Sequence, residues 1–442
     1  MKRLKILYIF LSAVILHTTC MGQIKSMGFT QKAPNLLSSM GKVYYPKLQI
    51  MNDTLFVNSI TGIYQKDMLK DGEWKLYAFK DAPVIEFVRN GNSLLASAIS
   101  TTTGRDSLLL ISYDNGKSYE DFTSIDFLEY EKNHLFRISQ NPQNLNSILI
   151  LAVYYGLYQS KDFGKKWQSL HPYSLGLDVA FTSFHPLDTT TIYYCGEGAI
   201  HNGVIYKTCN SGNAWTEYIV PGGDNCVHQI DFHPLDSNIL IWGGEGNIGK
   251  STDKGETWNI VDLYYTGMYF YKVLFDKDNP NILYASGVPG RYPPDKQDSI
   301  WVYRSIDTGD TWHLAYQEYL GTNGGGVIDM VKYKDKLIFY TRELGVLELD
   351  VKTTPVIPNS INVVTKHELS VYPNPAVNTI YFDTDLLISG IDIINSIGST
   401  VQKDVIPKNG KSIDVSRLNE GIYLAVFHVD NRKITKKICI GQ

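Results

Sequence analysis

The segment STDKGETW, residues 251–258, decides the fold, because four other segments repeat its pattern. Each copy has Ser or Thr, then Asp or Asn two residues later, Gly two residues after that, and an aromatic residue three further on. The other copies are residues 112–119, 160–167, 208–215 and 305–312. Taken in order, the five starts lie 48, 48, 43 and 54 residues apart. Self-similarity at a near-constant spacing indicates a repeat architecture.

The pattern has the chemistry of a tight turn between two strands. An Asp or Asn side chain can fold back and accept hydrogen bonds from turn N–H groups, and Gly supplies the positive φ that such a turn needs. The closing aromatic ring is expected to be buried against the hairpin. A calcium loop would need further carboxylates, which these segments lack. We therefore interpret the acidic or amide position of each copy as structural: Asp114, Asp162, Asn210, Asp253 and Asp307.

Each copy belongs to a longer repeat of short β-rich runs. In the fourth repeat, residues 227–232, 239–243 and 248–251 precede or enter the pattern, and a fourth run follows it. Four short strands per repeat make a propeller blade, and degenerate copies at residues 47–79 and 327–352 raise the number of blades to seven. The last repeat lacks a fourth strand, so we expect residues 27–32 to complete it and close the ring. The predicted fold is all-β, with a seven-bladed β-propeller over residues 23–352.

These repeats resemble those of the Asp-box, or BNR, β-propellers over roughly residues 42–352. That group includes sortilin-type ectodomains, photosystem II assembly factors, sialidases and xyloglucanases. The resemblance implies the propeller fold. Because the group contains both enzymes and binding proteins, it does not choose an activity.

The N-terminus has the parts of a secretory signal peptide. Residues 1–5 are basic, residues 6–16 are apolar but too few to span a bilayer, and Gly22 offers a small residue before a cleavage site. We predict a signal peptide over residues 1–22. A lipidated Cys20 is the alternative, although His17 and Thr19 do not match that signal.

The C-terminal part of the sequence predicts a second β domain with an export signal. Residues 353–367 are polar and lack apolar periodicity, which predicts a linker, and alternating strands resume over residues 368–442 in a small C-terminal β-sandwich. The motifs VYPNP (371–375), IINSIG (393–398), LNEGIY (418–423) and the basic stretch 433–437 resemble the type A sorting domain of the Bacteroidetes type IX secretion system. The resemblance implies the secretion translocon as a partner, and a protein that is secreted or displayed on the outer-membrane surface by way of the periplasm. It assigns the sorting signal to Pro373, Asn374, Pro375, Gly421, Tyr423, Lys436 and Lys437.

Composition narrows the classes of function. The chain has 30 Tyr, 17 Phe, 7 Trp and 36 Gly with only 19% charged residues, which suits short strands and tight turns. A net charge of −4 argues against nucleic-acid binding. Metal-ligand spacings, phosphate loops and catalytic triads do not occur, so we expect no metal, no cofactor, and no membrane span after signal cleavage. Outside the cell, one disulfide among Cys195, Cys209 and Cys226 is possible, and buried free thiols are the alternative.

A candidate site follows from the order of strands in a blade. The loops between second and third strands and between successive blades share the face opposite the Asp-box turns, and propellers commonly bind ligands there. Two of these loops carry Gly-Glu-Gly, and the loop 264–272 is aromatic, with Tyr265, Tyr269 and Tyr271. We predict a ligand-binding rim on blades four to six: Glu197, Asp224, His228, Glu245, Tyr269 and Arg291.

Different functions remain open for this rim. The preferred interpretation is a non-catalytic module that binds a glycan, a peptide or a protein, because aromatic rings stack on ligands and carboxylates bind hydroxyls or amines. The rivals are a glycoside hydrolase that uses Glu197 and Glu245 as acid and base, and an assembly factor. The simplest alternative is that both glutamates are solvated turn residues beside glycine.

Overall fold

The computed structural model describes the following parts of the chain: residues 24–31, 36–37, 43–44, 47–70, 72–99, 108–121, 136–152, 156–171, 178–198, 202–221, 226–263, 267–289, 299–319, 326–351, 370–373, 375–383, 388–395, 399–408, 411–429 and 432–441. All the regular elements in these parts are β-strands. The chain divides into two compact units, residues 1–363 and 364–442, and each is described by itself. The predicted signal peptide lies outside the described residues.

The first unit contains seven four-stranded antiparallel sheets, which confirms the predicted seven blades. Three short strands come first: β1 (Lys25–Ser26), β2 (Leu36–Leu37) and β3 (Val43–Tyr44). Blade one has β4 (Leu48–Met51), β5 (Thr54–Ser59), β6 (Gly62–Asp67) and β7 (Lys75–Ala78). Blade two has β8 (Val84–Asn90), β9 (Ser93–Ala98), β10 (Leu108–Ser112) and β11 (Glu120–Asp121). Blade three has β12 (Phe136–Asn141), β13 (Asn144–Ala152), β14 (Gly156–Ser160) and β15 (Gln168–His171).

The remaining blades repeat the same order of strands. Blade four has β16 (Asp178–His185), β17 (Asp188–Glu197), β18 (Gly203–Thr208) and β19 (Thr216–Ile219). Blade five has β20 (Val227–Phe232), β21 (Leu240–Gly244), β22 (Asn247–Ser251) and β23 (Asn259–Asp262). Blade six has β24 (Met268–Phe275), β25 (Leu283–Pro289), β26 (Ser299–Ser305) and β27 (His313–Tyr319). Blade seven takes β28 (Val327–Tyr333), β29 (Lys336–Thr341) and β30 (Gly345–Asp350) from the C-terminal end of the propeller.

The N-terminal strand closes the ring, as the sequence predicted. Strand β1 is the fourth strand of blade seven, with Lys25 opposite Glu348 and Ser26 opposite Leu347. Regular pairing begins two residues earlier than predicted and ends at Ser26, because Gly28 has a φ of +80° that interrupts the extended backbone. The Met27 N–H still donates to the Val346 carbonyl at 3.0 Å. The outer edge of β30 is thus paired with the N-terminal strand, which gives the last blade its four strands.

The Asp-box turns are built as the sequence chemistry suggested. In the last box, Asp307 Oδ1 accepts from Ser305 Oγ at 2.7 Å and from the Thr311 N–H at 2.9 Å. Its Oδ2 accepts from Thr311 Oγ1 at 2.6 Å. Both Thr308 and Gly309 have positive φ, at 59° and 89°. Trp312 is buried, and its Nε1–H donates to the Gly309 carbonyl at 3.2 Å, which holds the turn against its blade.

The second unit has two sheets around one core. The first sheet contains β31 (Ser370–Tyr372), β32 (Thr379–Asp383) and β35 (Ser412–Asp414). The second contains β33 (Ile388–Asn395), β34 (Thr400–Val405), β36 (Gly421–Val429) and β37 (Arg432–Ile440). Both sheets contribute to a single buried apolar cluster, which includes Ile380 and Phe382 from one and Ile393 and Phe427 from the other. This is the small C-terminal β domain that the alternating strands predicted.

Candidate functional site

The two faces of the propeller differ in which loops they carry. The Asp-box turns hydrogen-bond to the turns between first and second strands, as when the Lys254 N–H donates to the Asn238 carbonyl and the Thr308 N–H to the Asn281 carbonyl, both at 2.9 Å. These two sets of turns therefore share one face. Because strands alternate in direction, the second-to-third strand loops and the blade-to-blade loops lie on the other, which we call the loop face.

A cavity of about 320 Å³ lies on the propeller axis, because first strands from all seven blades line it. One residue per blade forms a layer around this cavity, which we call the axial ring. Its members in blade order are Lys47, Glu86, Arg137, Phe181, Gln229, Lys272 and Asp329. In five blades the ring residue is the first paired residue after a register shift in the first strand. The irregular pairing thus recurs at the same level in each of those blades.

Carboxylates of the ring join neighbouring blades. Glu86 Oε2 accepts from the Ile138 N–H of blade three at 2.9 Å, and Glu86 Oε1 lies 3.3 Å from Arg137 Nη1. Asp329 Oδ2 accepts from the Leu48 N–H of blade one at 2.7 Å. Strand-to-strand contacts of this kind satisfy backbone groups that the blades cannot satisfy within themselves. The two acidic side chains therefore have a structural function as well as a charge.

A histidine and tyrosines cluster above the ring on the first strands of blades five and six. The His228 ring centroid lies 4.4 Å from that of Tyr271 and 6.3 Å from that of Tyr269. Burial, with smaller contributions from Lys47 and Arg137, lowers the pKa of His228 to about 3, so the imidazole is neutral at pH 7. Its Nε2 is buried without a hydrogen-bond partner among the described residues. The cluster therefore holds a buried imidazole nitrogen without a described partner beside two aromatic rings.

Two glycines let the backbone of blade six approach its neighbours at this cluster. A Cβ on Gly287 would stand 1.7 Å from the Tyr269 carbonyl oxygen, and one on Gly243 would stand 2.6 Å from the Phe270 carbonyl oxygen. Gly287 lies opposite the register shift between Tyr269 and Lys272, so the irregular strand carrying both tyrosines packs directly on its backbone. The loop after β21 is also tied to β24, because Glu245 and Tyr269 form an isolated bridge.

The predicted rim residues fall into three groups. His228, Glu245 and Tyr269 are brought together where blades five and six meet. Glu197 is the last residue of β17 in blade four and is half-buried. Asp224 and Arg291 lie outside the described residues.

Sequence reasoning missed the axial ring. Isolated Lys, Glu or Arg residues on a strand are usually solvated, so single charges gave no reason to expect a cavity. Five blades carry a charged ring residue in or directly before the first strand, but its position within the strand differs from blade to blade, so the sequence offers no common spacing.

The second unit contains the proposed sorting residues and one group of possible metal ligands. Pro373 and Pro375 are exposed, Tyr423 Oη donates to the Asn419 carbonyl at 2.9 Å, and Asn374 lies outside the described residues. Gly421 begins β36, and Lys436 and Lys437 lie in the last strand, β37. Among the described residues, ligand atoms of Asp392, Asp404 and His428 lie within 4.8 Å of one another. His428 Nε2 and Asp392 Oδ2 are 2.9 Å apart, which is a hydrogen bond in its own right.

Comparison with known families separates the two units. Residues 370–441 match the family model of the secretion system C-terminal sorting domain. Residues 155–287, which include three complete Asp boxes, match the model described as "Sortilin, neurotensin receptor 3". The chain is an Asp-box propeller with a type IX sorting domain. This tail directs the propeller through the secretion system to the cell surface or the medium, and is consistent with an origin in the Bacteroidetes.

Individual relatives agree on the fold and differ in what they do. Sortilin from Danio rerio is 23% identical over 285 residues, which is 59% of this chain, and the chain spans only 33% of that relative's length. The GH74 xyloglucanase from Xanthomonas campestris matches with a TM-score of 0.54 at 12% identity, over 94% of this chain and 68% of its own. YCF48 bound to D1 peptide matches with a TM-score of 0.51 at 14% identity, over 74% of this chain and 96% of its own. At such identities the structures show a shared fold alone.

Within the described residues, no helix is long and apolar enough to cross a membrane.

Proposed function

We propose that the exported propeller is a non-catalytic binding module that takes an extracellular glycan, peptide or protein segment on its loop face. The observation that carries this proposal is the cluster of His228, Tyr269 and Tyr271, which presents a buried imidazole nitrogen without a described partner beside two aromatic rings.

The chemistry of the cluster suits recognition. Aromatic rings supply apolar area with a preferred stacking geometry, and a neutral imidazole held beside them offers one hydrogen bond with a defined direction. A buried polar atom without a partner costs free energy, and a ligand that supplies the partner removes that cost. The unpartnered Nε2 therefore favours a ligand with a hydroxyl, amide or amine group at this point.

Further polar groups surround the cluster in this proposal. Glu245 is held beside Tyr269 through the bridge between their backbones, and its carboxylate extends the set of hydrogen-bond acceptors. Glu197, at the end of β17, is a further member of the proposed rim, and Asp224 and Arg291 stay sequence-based predictions. Propellers of the same fold include a protein solved with a bound peptide and a xyloglucanase. For this reason peptides and glycans are the two ligand classes to test.

The test is a glycan and peptide array probed with the mature chain. We expect Tyr269→Ala and His228→Gln to weaken the best-bound ligand by about tenfold or more, since losing one aromatic or hydrogen-bond anchor costs about 1–2 kcal/mol. Tyr113→Ala is the matched control, because Tyr113 is an exposed tyrosine in an Asp-box turn on the opposite face. Equal losses in the control and in Tyr269→Ala would contradict the placement of the site.

A second measurement decides between binding and hydrolysis. Reducing-end release from each bound polysaccharide is followed for the wild type and for Glu197→Gln and Glu245→Gln. We expect no release from any polysaccharide. Release that either substitution abolishes would show a glycoside hydrolase and end the non-catalytic proposal.

A further inference from the structure

The axial ring carries more positive than negative charge. The described residues that line the cavity include three cationic side chains, Lys47, Arg137 and Lys272, and two carboxylates, Glu86 and Asp329. The cavity is closed around by first strands, so these charges are screened less than charges on an open surface. Among the residues that line the cavity, cations therefore outnumber carboxylates by one. A further buried carboxylate, Asp231, lies outside this lining, where it accepts from the Phe275 N–H at 2.7 Å and interacts with Lys272.

Both carboxylates are already engaged. Glu86 accepts from the Ile138 N–H at 2.9 Å and pairs with Arg137 at 3.3 Å. Asp329 accepts from the Leu48 N–H at 2.7 Å and from the Met330 N–H at 3.0 Å. Lys272 Nζ lies 3.2 Å from Asp329 Oδ1. Each acidic group thus has one cation and at least one backbone donor.

Lys47 is the cation left over. Both backbone polar groups of Lys47 are hydrogen-bonded: its N–H donates to the Ile85 carbonyl at 3.1 Å, and its carbonyl accepts from the Asn58 N–H at 3.2 Å. Its side chain lines the cavity, and the described residues place no carboxylate within ion-pair distance of its Nζ. Burial lowers the pKa of Lys47; the Asp329 carboxylate partly opposes this, and the Arg137 guanidinium adds to it. An enclosed ammonium without a partner is costly unless something neutralises it.

We propose that the axial cavity binds one small monovalent anion, a carboxylate or a halide, through Lys47 together with Arg137 and Lys272. The anion supplies the missing negative charge. The site is distinct from the cluster of His228 and the tyrosines, and it does not depend on the proposed function.

The other residues that line the cavity bear on the chemistry and the size of the anion. Phe181 occupies the ring position of blade four. Ala180 and the polar residues Thr182 and Ser183 of the same strand also line the cavity, so the ring position of this blade carries no charge. A volume of about 320 Å³ is at the small end of the range for ligand pockets. In this proposal the oxygens of a small carboxylate face Lys47, Arg137 and Lys272.

The experiment is a thermal unfolding titration of the mature chain at pH 7 with sodium acetate or sodium chloride, in a buffer whose other anion is a bulky sulfonate. Three proteins are compared: the wild type, Lys47→Met and Lys75→Met. Methionine keeps an unbranched apolar stem and removes the charge. Lys75 is the matched control, because it is exposed on the outermost strand of the same blade.

We expect the unfolding temperature of the wild type and of Lys75→Met to rise with anion concentration, as ligand linkage requires. We expect that rise to be lost in Lys47→Met, which corresponds to at least a tenfold weaker affinity. A larger rise with acetate than with chloride at equal concentration identifies a carboxylate site, and the reverse identifies a halide site. A rise that persists in Lys47→Met, or no rise with either anion in the wild type, overturns the proposal.

A measurement on the wild type alone covers the case in which Lys47→Met does not fold. Chloride that exchanges with the cavity broadens the ³⁵Cl resonance, and acetate that binds the same site removes the broadening. Absence of broadening together with absence of an acetate-dependent rise in unfolding temperature contradicts the anion site.

Discussion

Replacement of Gly287 by Ala tests whether the backbone contact under the tyrosine cluster is as tight as the structure shows. A Cβ at this position would stand 1.7 Å from the Tyr269 carbonyl oxygen and 2.9 Å from the Tyr271 backbone nitrogen. Ordinary contacts of this kind are longer than 3 Å, so β24 has to move away by more than an ångström. Both neighbours are backbone atoms, so no side-chain rotation relieves the clash.

The expected cost is about 3–5 kcal/mol, above the usual 1–3 kcal/mol for overpacking, because β24 must shift between blades five and seven. For a protein of this size, that lowers the unfolding temperature by about 5–15 °C. The assay is thermal unfolding followed by circular dichroism, with ligand binding measured on the same preparation. We expect both stability and binding at the tyrosine cluster to fall.

Gly72→Ala is the control for this substitution. A Cβ on Gly72 would meet nothing within 4 Å, and its φ is not in the left-handed region. We expect this variant to be unchanged or more stable by up to about 1 kcal/mol, since Ala restricts the unfolded chain. Equal unfolding temperatures for Gly287→Ala and wild type would refute the reasoning, because a clash with two backbone atoms cannot be neutral.

Three further substitutions test other parts of the argument. Asp307→Ala removes three acceptor bonds and is expected to cost about 2–4 kcal/mol in urea unfolding, whereas Asp307→Asn should cost less than half as much, since Asn210 serves the same role in its own box. Native His228, with its pKa of about 3, binds a proton more weakly than the same residue in the unfolded chain. Its contribution therefore leaves the stability unchanged above about pH 6.5 and lowers it as the pH falls toward 3. We expect His228→Gln to flatten this slope when urea midpoints are measured against pH. Trp74→Phe loses the hydrogen bond from Nε1 to the Met27 carbonyl at 2.9 Å, and faster amide exchange in residues 25–29 with little change elsewhere is the expected result.

Much of the propeller could be predicted from local patterns. The Asp boxes are self-contained turns in which Ser305, Asp307 and Gly309 hydrogen-bond within five residues, so their sequence specifies their structure. The strand order follows, because short antiparallel hairpins leave few other topologies. The N-terminal closing strand was predictable for a different reason: a blade with three strands leaves an edge that something must cover.

The candidate site was predictable only in part. Choosing the loop face required the strand order alone, and His228, Glu245 and Tyr269 were selected on that basis. The contact between His228 and Tyr271 depends on register shifts in β20 and β24 and on the absence of a side chain at Gly287, none of which a sequence pattern announces.

The amino-acid sequence by itself determined the repeat, the number of blades and the route of export, because each depends on residues that are close together in the chain. The tertiary structure alone decided that Lys47, Glu86, Arg137, Lys272 and Asp329 meet around one cavity. Those residues come from five blades and are separated by up to 282 positions, and only closure of the ring brings them together. The net charge around the cavity is the sum over these five side chains, and it is therefore a property of the closed propeller.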